Sequence, residues 1–166
     1  DAWADPARRL ENDQAFFPDM VEYMDTLIGK LVNGLEDLGL RDDTLIIFYS
    51  DNGTDKKNTS VMSGVEIPGQ KSYPVQAGVR VPLVASWPNG APKGIVSTDL
   101  IDASDFLPTL IELAGHEAPN AWQLDGQSFA PQLRGATNPA PRESVFVWYD
   151  PRPGDDKDHL DRAVFA

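Results

Sequence analysis

The chain has 166 residues, 41% hydrophobic and 24% charged, with a formal net charge of -12. That length is enough for one domain with its own core, and the balance of apolar to charged residues excludes an intrinsically disordered chain. The acidic surplus excludes nucleic acid and anionic membranes as partners drawn in by the overall field, so any anion site has to be built locally.

Cysteine is absent, which removes disulfides, thiolate metal sites and a cysteine-derived nucleophile from these residues. No apolar run reaches the length of a membrane span, and no signal peptide opens the chain. Both ends read as cut. The sequence begins at Asp1 without an initiator Met and stops in Arg162-Ala163-Val164-Phe165-Ala166, which has the pattern of a strand beginning.

The first predicted element is a helix over 19–38, where Val21, Met24, Leu27, Ile28, Leu31, Leu35 and Leu38 recur at spacings of three and four. Pro18-Asp19 is its start signal and Gly39 its stop. After the short link Leu40-Arg41-Asp42-Asp43, residues Thr44 to Tyr49 form an apolar run of strand formers. A helix, a short turn and a continuous apolar strand together predict an α/β fold with a predominantly parallel sheet flanked by helices. Residues 1–166 are taken as one domain.

That strand ends in Ser50-Asp51-Asn52-Gly53. Two readings are open at this point. Asp-Asn-Gly is ordinary turn chemistry. Asp51 and Asn52 also place a carboxylate and an amide carbonyl side by side, the hard oxygen donors preferred by calcium or magnesium. In open α/β sheets ligands bind beyond the carboxyl ends of the strands, which is where this pair falls. Gly53 is expected to permit the turn that aims both side chains at one point.

Residues 54–80 are polar and lack sustained periodicity, and a loop of that length within a compact domain is usually functional. It carries Lys71, a mobile point charge suited to a tetrahedral anion, and leads to Arg80, a fixed fork of donors. Lys71 matters to Asp51 and Asn52 only if the loop folds back over the strand end. Val81 to Trp87 is the second predicted strand, with Pro82 near its start, and Pro88-Asn89-Gly90-Ala91-Pro92 ends it. A second helix is predicted over Asp102 to Ala114, with Phe106, Leu107, Leu110, Ile111 and Ala114 as its apolar face and Gly115 as its stop. Residues 116–143 read as loop with turns around Asp125-Gly126, Ser144 to Tyr149 as a third strand, and 150–161 as an irregular acidic tail.

The ordered combination of these pieces resembles the sulfatase family of the alkaline-phosphatase superfamily. The matching segments are Tyr23-Met24-Asp25 with Ile28-Gly29, then Asp43-Thr44 leading to Ser50-Asp51-Asn52-Gly53, Gly69-Gln70-Lys71, Gly78-Val79-Arg80-Val81-Pro82, Trp87-Pro88, and Asp105-Phe106-Leu107-Pro108-Thr109-Leu110 with Leu113-Ala114-Gly115. The resemblance implies a partial alkaline-phosphatase-like fold, the central-to-C-terminal part of a sulfatase catalytic domain. It implies that Asp51 and Asn52 are two ligands of an active-site calcium ion, and that Lys71 contacts the substrate sulfate. Arg80 takes a supporting structural role, and Asp25 belongs to helix packing or capping. Gln76-Ala77-Gly78 stands where many members have Glu-Gly-Gly.

The family's nucleophile is a formylglycine made within a Cys/Ser-x-Pro-x-Arg motif, and no such motif occurs in these residues. Neither His116 nor His159 matches the family's catalytic histidine. The resemblance therefore implies a fragment that is inactive alone, with the formylglycine and the other calcium ligands expected in an upstream segment. It further implies a sulfated small-molecule or glycan substrate and a periplasmic or secreted location. A phosphodiesterase or phosphonate monoester hydrolase of the same superfamily, and a non-catalytic binding remnant, are the alternatives. An Asp-His pair in place of Asp51-Asn52 would have favoured phosphate chemistry.

Overall fold

The computed structural model describes residues 5–7, 14–138 and 140–149, and the backbone of 161–165. Its first long element is α1 (Phe17–Asp37), opened by Pro18 and carrying Asp19 in the first turn. Proline costs no hydrogen bond there, and an acidic side chain complements the helix dipole. The helix ends where the sequence stop signal lies: Gly39 adopts a left-handed φ of 66°. Its N–H donates to Glu36 O at 2.9 Å and the Leu40 N–H donates to Leu35 O at 2.9 Å. Those paired bonds satisfy carbonyls that the helix leaves open. No helix among the described residues is long and apolar enough to cross a membrane.

Strand β1 (Ile46–Tyr49) is shorter than the predicted run and stops at the expected place. The expectation of a predominantly parallel sheet is corrected by its pairing. β1 runs antiparallel to a strand at Leu83–Ser86, in register from Ile46 opposite Ser86 to Tyr49 opposite Leu83. Every strand pair among the described residues is antiparallel and two-stranded. The physical reason lies in the connection. A parallel partner needs a crossover that carries the chain back to the end where the first strand began. Residues 50–82 instead turn at the Tyr49 end: the Gly53 N–H donates to Gly78 O at 2.8 Å, and the chain re-enters the sheet beside the point where it left.

The connection is also not the featureless loop that its polarity predicts. It holds a hairpin of β2 (Thr59–Met62) and β3 (Val65–Pro68), then a one-turn helix, α2 (Gln76–Val79), before β4 (Leu83–Ser86). Ser63 and Gly64 close the hairpin with φ of 52° and 80°, the left-handed pair that matches the strands' twist. The signal was present in Val61-Met62-Ser63-Gly64-Val65, a Ser-Gly pair between apolar residues.

At the opposite end of the β1–β4 pair, polar side chains hold the corner. Arg41 donates to Thr44 O at 3.1 Å and, with its other terminal nitrogen, to the Ser86 hydroxyl. The Asn89 side chain donates to Asp43 Oδ1 at 2.8 Å.

The second predicted helix is a 3₁₀ turn at Ala103–Asp105 continued by α3 (Phe106–Leu113). Residues 116–143 are mostly irregular, as expected, with a one-turn helix α4 (Ala130–Leu133). Asp125-Gly126 is not a turn; Gly126 lies so close to Ser104 that an added Cβ would fall 2.0 Å from its carbonyl oxygen. β5 (Val145–Tyr149) pairs with β6 (Asp161–Phe165), so the strand expected at the end of the chain is present, while 150–160 lie outside the described residues.

Among the described residues the buried side chains are confined to the α3–α4 region: Phe129, Ala130 and Leu133, with the polar Asp105 and Thr109. Phe106 links this core to the end of β1, its ring 4.8 Å from that of Tyr49 and 5.5 Å, edge-on, from that of Phe129. Asp105 is the hub. Its carboxylate accepts from the Asp102 N–H at 2.8 Å, from the Gln127 N–H at 2.7 Å, and from both Nε and a terminal nitrogen of Arg142. Thr109 donates to Asp105 O at 2.6 Å and accepts from the Phe129 N–H at 2.9 Å. The hydrogen bond to Asp105 holds the Arg142 guanidinium above its ordinary range against the opposing effect of burial. Burial works to raise the Asp102 carboxyl, yet the hydrogen bonds from Ser104 and the charge of Arg142 outweigh it and leave it lowered. A carboxylate three residues before another, ahead of an apolar run, is a capping signature legible in Asp102-Ala103-Ser104-Asp105.

Candidate active site

β1 delivers the site. Past Tyr49 the Ser50 hydroxyl donates to Asn52 O at 2.9 Å, which closes the turn through side-chain chemistry. Asp51 is exposed and Asn52 half-buried, so their side-chain oxygens stand at the strand end.

The loop does fold back over that end. The Gly69 N–H donates to Asn58 O at 2.8 Å, and the Lys71 N–H donates to Thr54 O at 3.0 Å. Lys71 is thereby anchored beside the segment that carries Asp51 and Asn52, although 20 residues separate it from Asp51 in sequence. Thr54, whose contribution is only a backbone carbonyl, carried no sequence signal for this role.

Gly53 is needed for a different reason from the one the sequence suggested. Its φ is not left-handed. A Cβ there would lie 2.0 Å from Ala77 O, and one on Gly78 would lie 2.1 Å from Tyr73 O. The strand end and α2 are pressed together backbone to backbone, and glycine permits that approach. Ala77 sits within α2 with its carbonyl against Gly53.

Asp51, Asn52, Lys71 and Arg80 all line one open cleft of about 1170 Å³, which also reaches Met20 and Met24 of α1. An adjoining hollow of about 350 Å³ shares Asn52 and Lys71 with it. Two residues with hard oxygen donors and a lysine therefore border a common space. In donor type, a carboxylate and an amide carbonyl, Asp51 and Asn52 suit a calcium ion. Calcium takes six to eight oxygens, and among the described residues no group of three or more His, Cys, Asp or Glu comes together. They can supply part of such a shell. Asp25 is exposed on α1, and His116 is exposed beyond α3, where its N–H donates to Ile111 O at 3.0 Å as part of the helix cap. His159 lies outside the described residues.

Comparison with known proteins agrees with the residue pattern. The family model described as Sulfatase matches residues 16–116, and the one described as N-sulphoglucosamine sulphohydrolase, C-terminal, matches residues 70–163. Human arylsulfatase A is 39% identical over 134 residues, covering 80% of this chain and 26% of the relative. The chain spans about a quarter of the length of the curated relatives it matches. Among solved structures, one in complex with its substrate D-glucosamine-2-N,6-O-disulfate superposes with a TM-score of 0.66 at 25% identity, over 87% of this chain and 28% of that one. A phosphonate monoester hydrolase from Silicibacter pomeroyi superposes with a TM-score of 0.57 at 29% identity, over 79% of this chain and 24% of that one. With a sulfatase model matched over more than half its length, and the motif residues gathered at one strand end, this chain belongs to the sulfatase family.

Proposed function

We propose that this chain forms part of a calcium-dependent sulfatase that hydrolyses a sulfated small molecule. The observation that carries the reading is the meeting of Asp51, Asn52 and Lys71 on one cleft, brought about by the return of the loop onto Thr54. Sulfate ester hydrolysis builds negative charge on the sulfuryl oxygens and on the leaving oxygen, and cations held at those positions lower the barrier. A bound calcium ion would supply Lewis-acid stabilisation of that charge. Asp51 and Asn52 would hold it from this chain's side, with the remaining ligands contributed from outside these residues. Lys71 would bind and orient the sulfate through its ammonium group. A formylglycine nucleophile is expected outside these residues as well. The substrate class draws support from the neighbour solved with a disulfated glucosamine. A periplasmic or secreted location is proposed on family resemblance.

The test is sulfate release from a chromogenic aryl sulfate by the full-length protein, against Asp51→Ala and Lys71→Ala variants. Each substitution is expected to lower turnover by about 100-fold or more, the usual cost of removing one preorganised charge-stabilising group. Unchanged turnover in both variants would sink the site assignment. The phosphonate monoester hydrolase neighbour favours a second reading. Assaying a phosphonate monoester beside the sulfate ester separates the two, and faster phosphonate turnover would replace the sulfatase reading.

A further inference from the structure

Two non-glycine residues among the described ones adopt a positive φ, Ser63 at 52° and Ser72 at 75°. Ser63 belongs to the tight β2–β3 connection, where the twist of the strands calls for that conformation. It borders neither of the two spaces beside Asn52 and Lys71. Ser72 is different. The Tyr73 N–H donates to Gln70 O at 3.0 Å, which makes Lys71 and Ser72 the two central residues of a four-residue turn. Lys71 keeps a negative φ and Ser72 a positive one, the type II pattern, whose third position suits glycine or asparagine. A serine there is a strained backbone position, and such positions collect where a ligand is clamped. Local bonding does not account for it: among the described residues the Ser72 hydroxyl makes no hydrogen bond. The side chain is exposed and lines the 350 Å³ hollow together with Asn52 and Lys71. An O–H donor with no partner in the chain thus borders the same space as the lysine ammonium.

We propose that Ser72 is an anion-binding residue of the site: its hydroxyl donates a hydrogen bond to an oxygen of the sulfate group that Lys71 holds, and the strained turn serves that contact. The inference rests on the anion site proposed above. Successive side chains of an extended segment point to opposite faces; the turn brings Lys71 and Ser72 to one hollow instead. A tetrahedral anion presents several oxygens, more than one ammonium group can satisfy. A hydroxyl that rotates to suit adds a donor without adding charge, and its hydrogen bond to a charged acceptor is stronger than one to a neutral group.

Calorimetric titration of the full-length protein with inorganic sulfate reads the site without turnover. Ser72→Ala leaves the demand on the backbone unchanged and removes only the hydroxyl. It is expected to weaken sulfate binding about ten-fold, the worth of one hydrogen bond to a charged group. Ser72→Gly relieves the turn and also lacks the donor, so it is expected to raise the melting temperature while weakening sulfate by a similar factor. Ser72→Asn tolerates a left-handed φ and keeps a donor, and is expected to restore most of the affinity. In that pattern affinity follows the donor and stability follows the backbone, which a serine of merely structural importance does not produce. Unchanged sulfate affinity in Ser72→Ala, or a glycine variant that binds sulfate as tightly as the unmodified protein, overturns the proposal. Lys71→Ala keeps it apart from the reading it rests on. If that variant loses sulfate and Ser72→Ala does not, the anion site stands and the role of Ser72 falls; if neither changes sulfate binding, both fall.

Discussion

The strongest single-residue dependence lies away from the cleft, at Asp105. Asp105 is 2% exposed, and its carboxylate takes hydrogen bonds from Asp102 at its own N-cap and from Gln127 and Arg142, tying two separated segments to the start of α3. Removing one partner of a buried ion pair strands the other charge, at a cost of about 3–5 kcal/mol. Asp105→Ala is therefore expected to lower the unfolding free energy by that order, read from a downward shift of the urea midpoint, with Arg142→Ala close behind, and a loss below about 1 kcal/mol would contradict the hub. Asp102 gives the pH dependence. Its carboxyl is lowered in the folded state from an ordinary value of 3.8, so its contribution is complete above that value and is lost as the pH falls through the lowered one. Denaturation curves from pH 6 down to about pH 2 should show acid sensitivity that Asp102→Asn reduces. If the unmodified protein and the Asn variant keep parallel stability profiles across that range, Asp102 is not one of the groups responsible.

Between elements, the decisive contact is the backbone seam where β1 ends against α2. Gly53→Ala would force a Cβ to 2.0 Å from Ala77 O, and because the obstacle is backbone it cannot swing aside. A loss of about 1–3 kcal/mol is expected, together with displacement of Asn52 relative to Lys71 and a fall in turnover. Gly29→Ala is the control: it lies within α1 with nothing inside 4 Å, so the same change should stabilise by about 0.5–1 kcal/mol. Equal effects at the two glycines, read by thermal melting, would remove the seam from the account. This seam also marks the limit of what the sequence could reveal. The helices α1 and α3 were legible because their apolar spacing and terminal glycines are local signals. The ends of β1 and β4 were legible for the same reason. The direction of strand pairing was not, because it depends on where 33 intervening residues bring the chain back, as the Gly53–Gly78 contact records. Asp51, Asn52 and Lys71 could be put forward as candidates from residue type and from the family resemblance. Their gathering by the Thr54 carbonyl could not, since a backbone acceptor has no residue signature. The Asp105 network went unread although the capping pattern of Asp102 and Asp105 was visible, because its third member, Arg142, lies 37 residues further on.

For the whole molecule, the unequal distribution of burial leads to a last prediction. Composition promised a core for the full length, yet α1 has no buried residue, and Met20, Met24, Leu27 and Leu31 along its apolar stripe are each more than 40% exposed. Phe146 on β5 is exposed as well. Monomeric soluble proteins rarely leave so much contiguous apolar surface uncovered, since each buried side chain of this size is worth about 1.5–3 kcal/mol. The calcium shell proposed above would be similarly partial, with Asp51 and Asn52 as two donors where calcium takes six to eight. The 166-residue chain by itself is therefore expected to bind an apolar-surface dye strongly, to associate as its concentration rises, to hold calcium only weakly and to hydrolyse no sulfate ester. Charged substitutions on the stripe, such as Leu27→Glu with Leu31→Glu, should reduce both dye binding and association, because the α1 face is the surface responsible. Dye fluorescence, sedimentation and calcium titration on the same preparation give the answer. A chain that remains monomeric, binds no dye and turns over an aryl sulfate efficiently would show that α1 needs no cover and that the chemistry is complete within these residues.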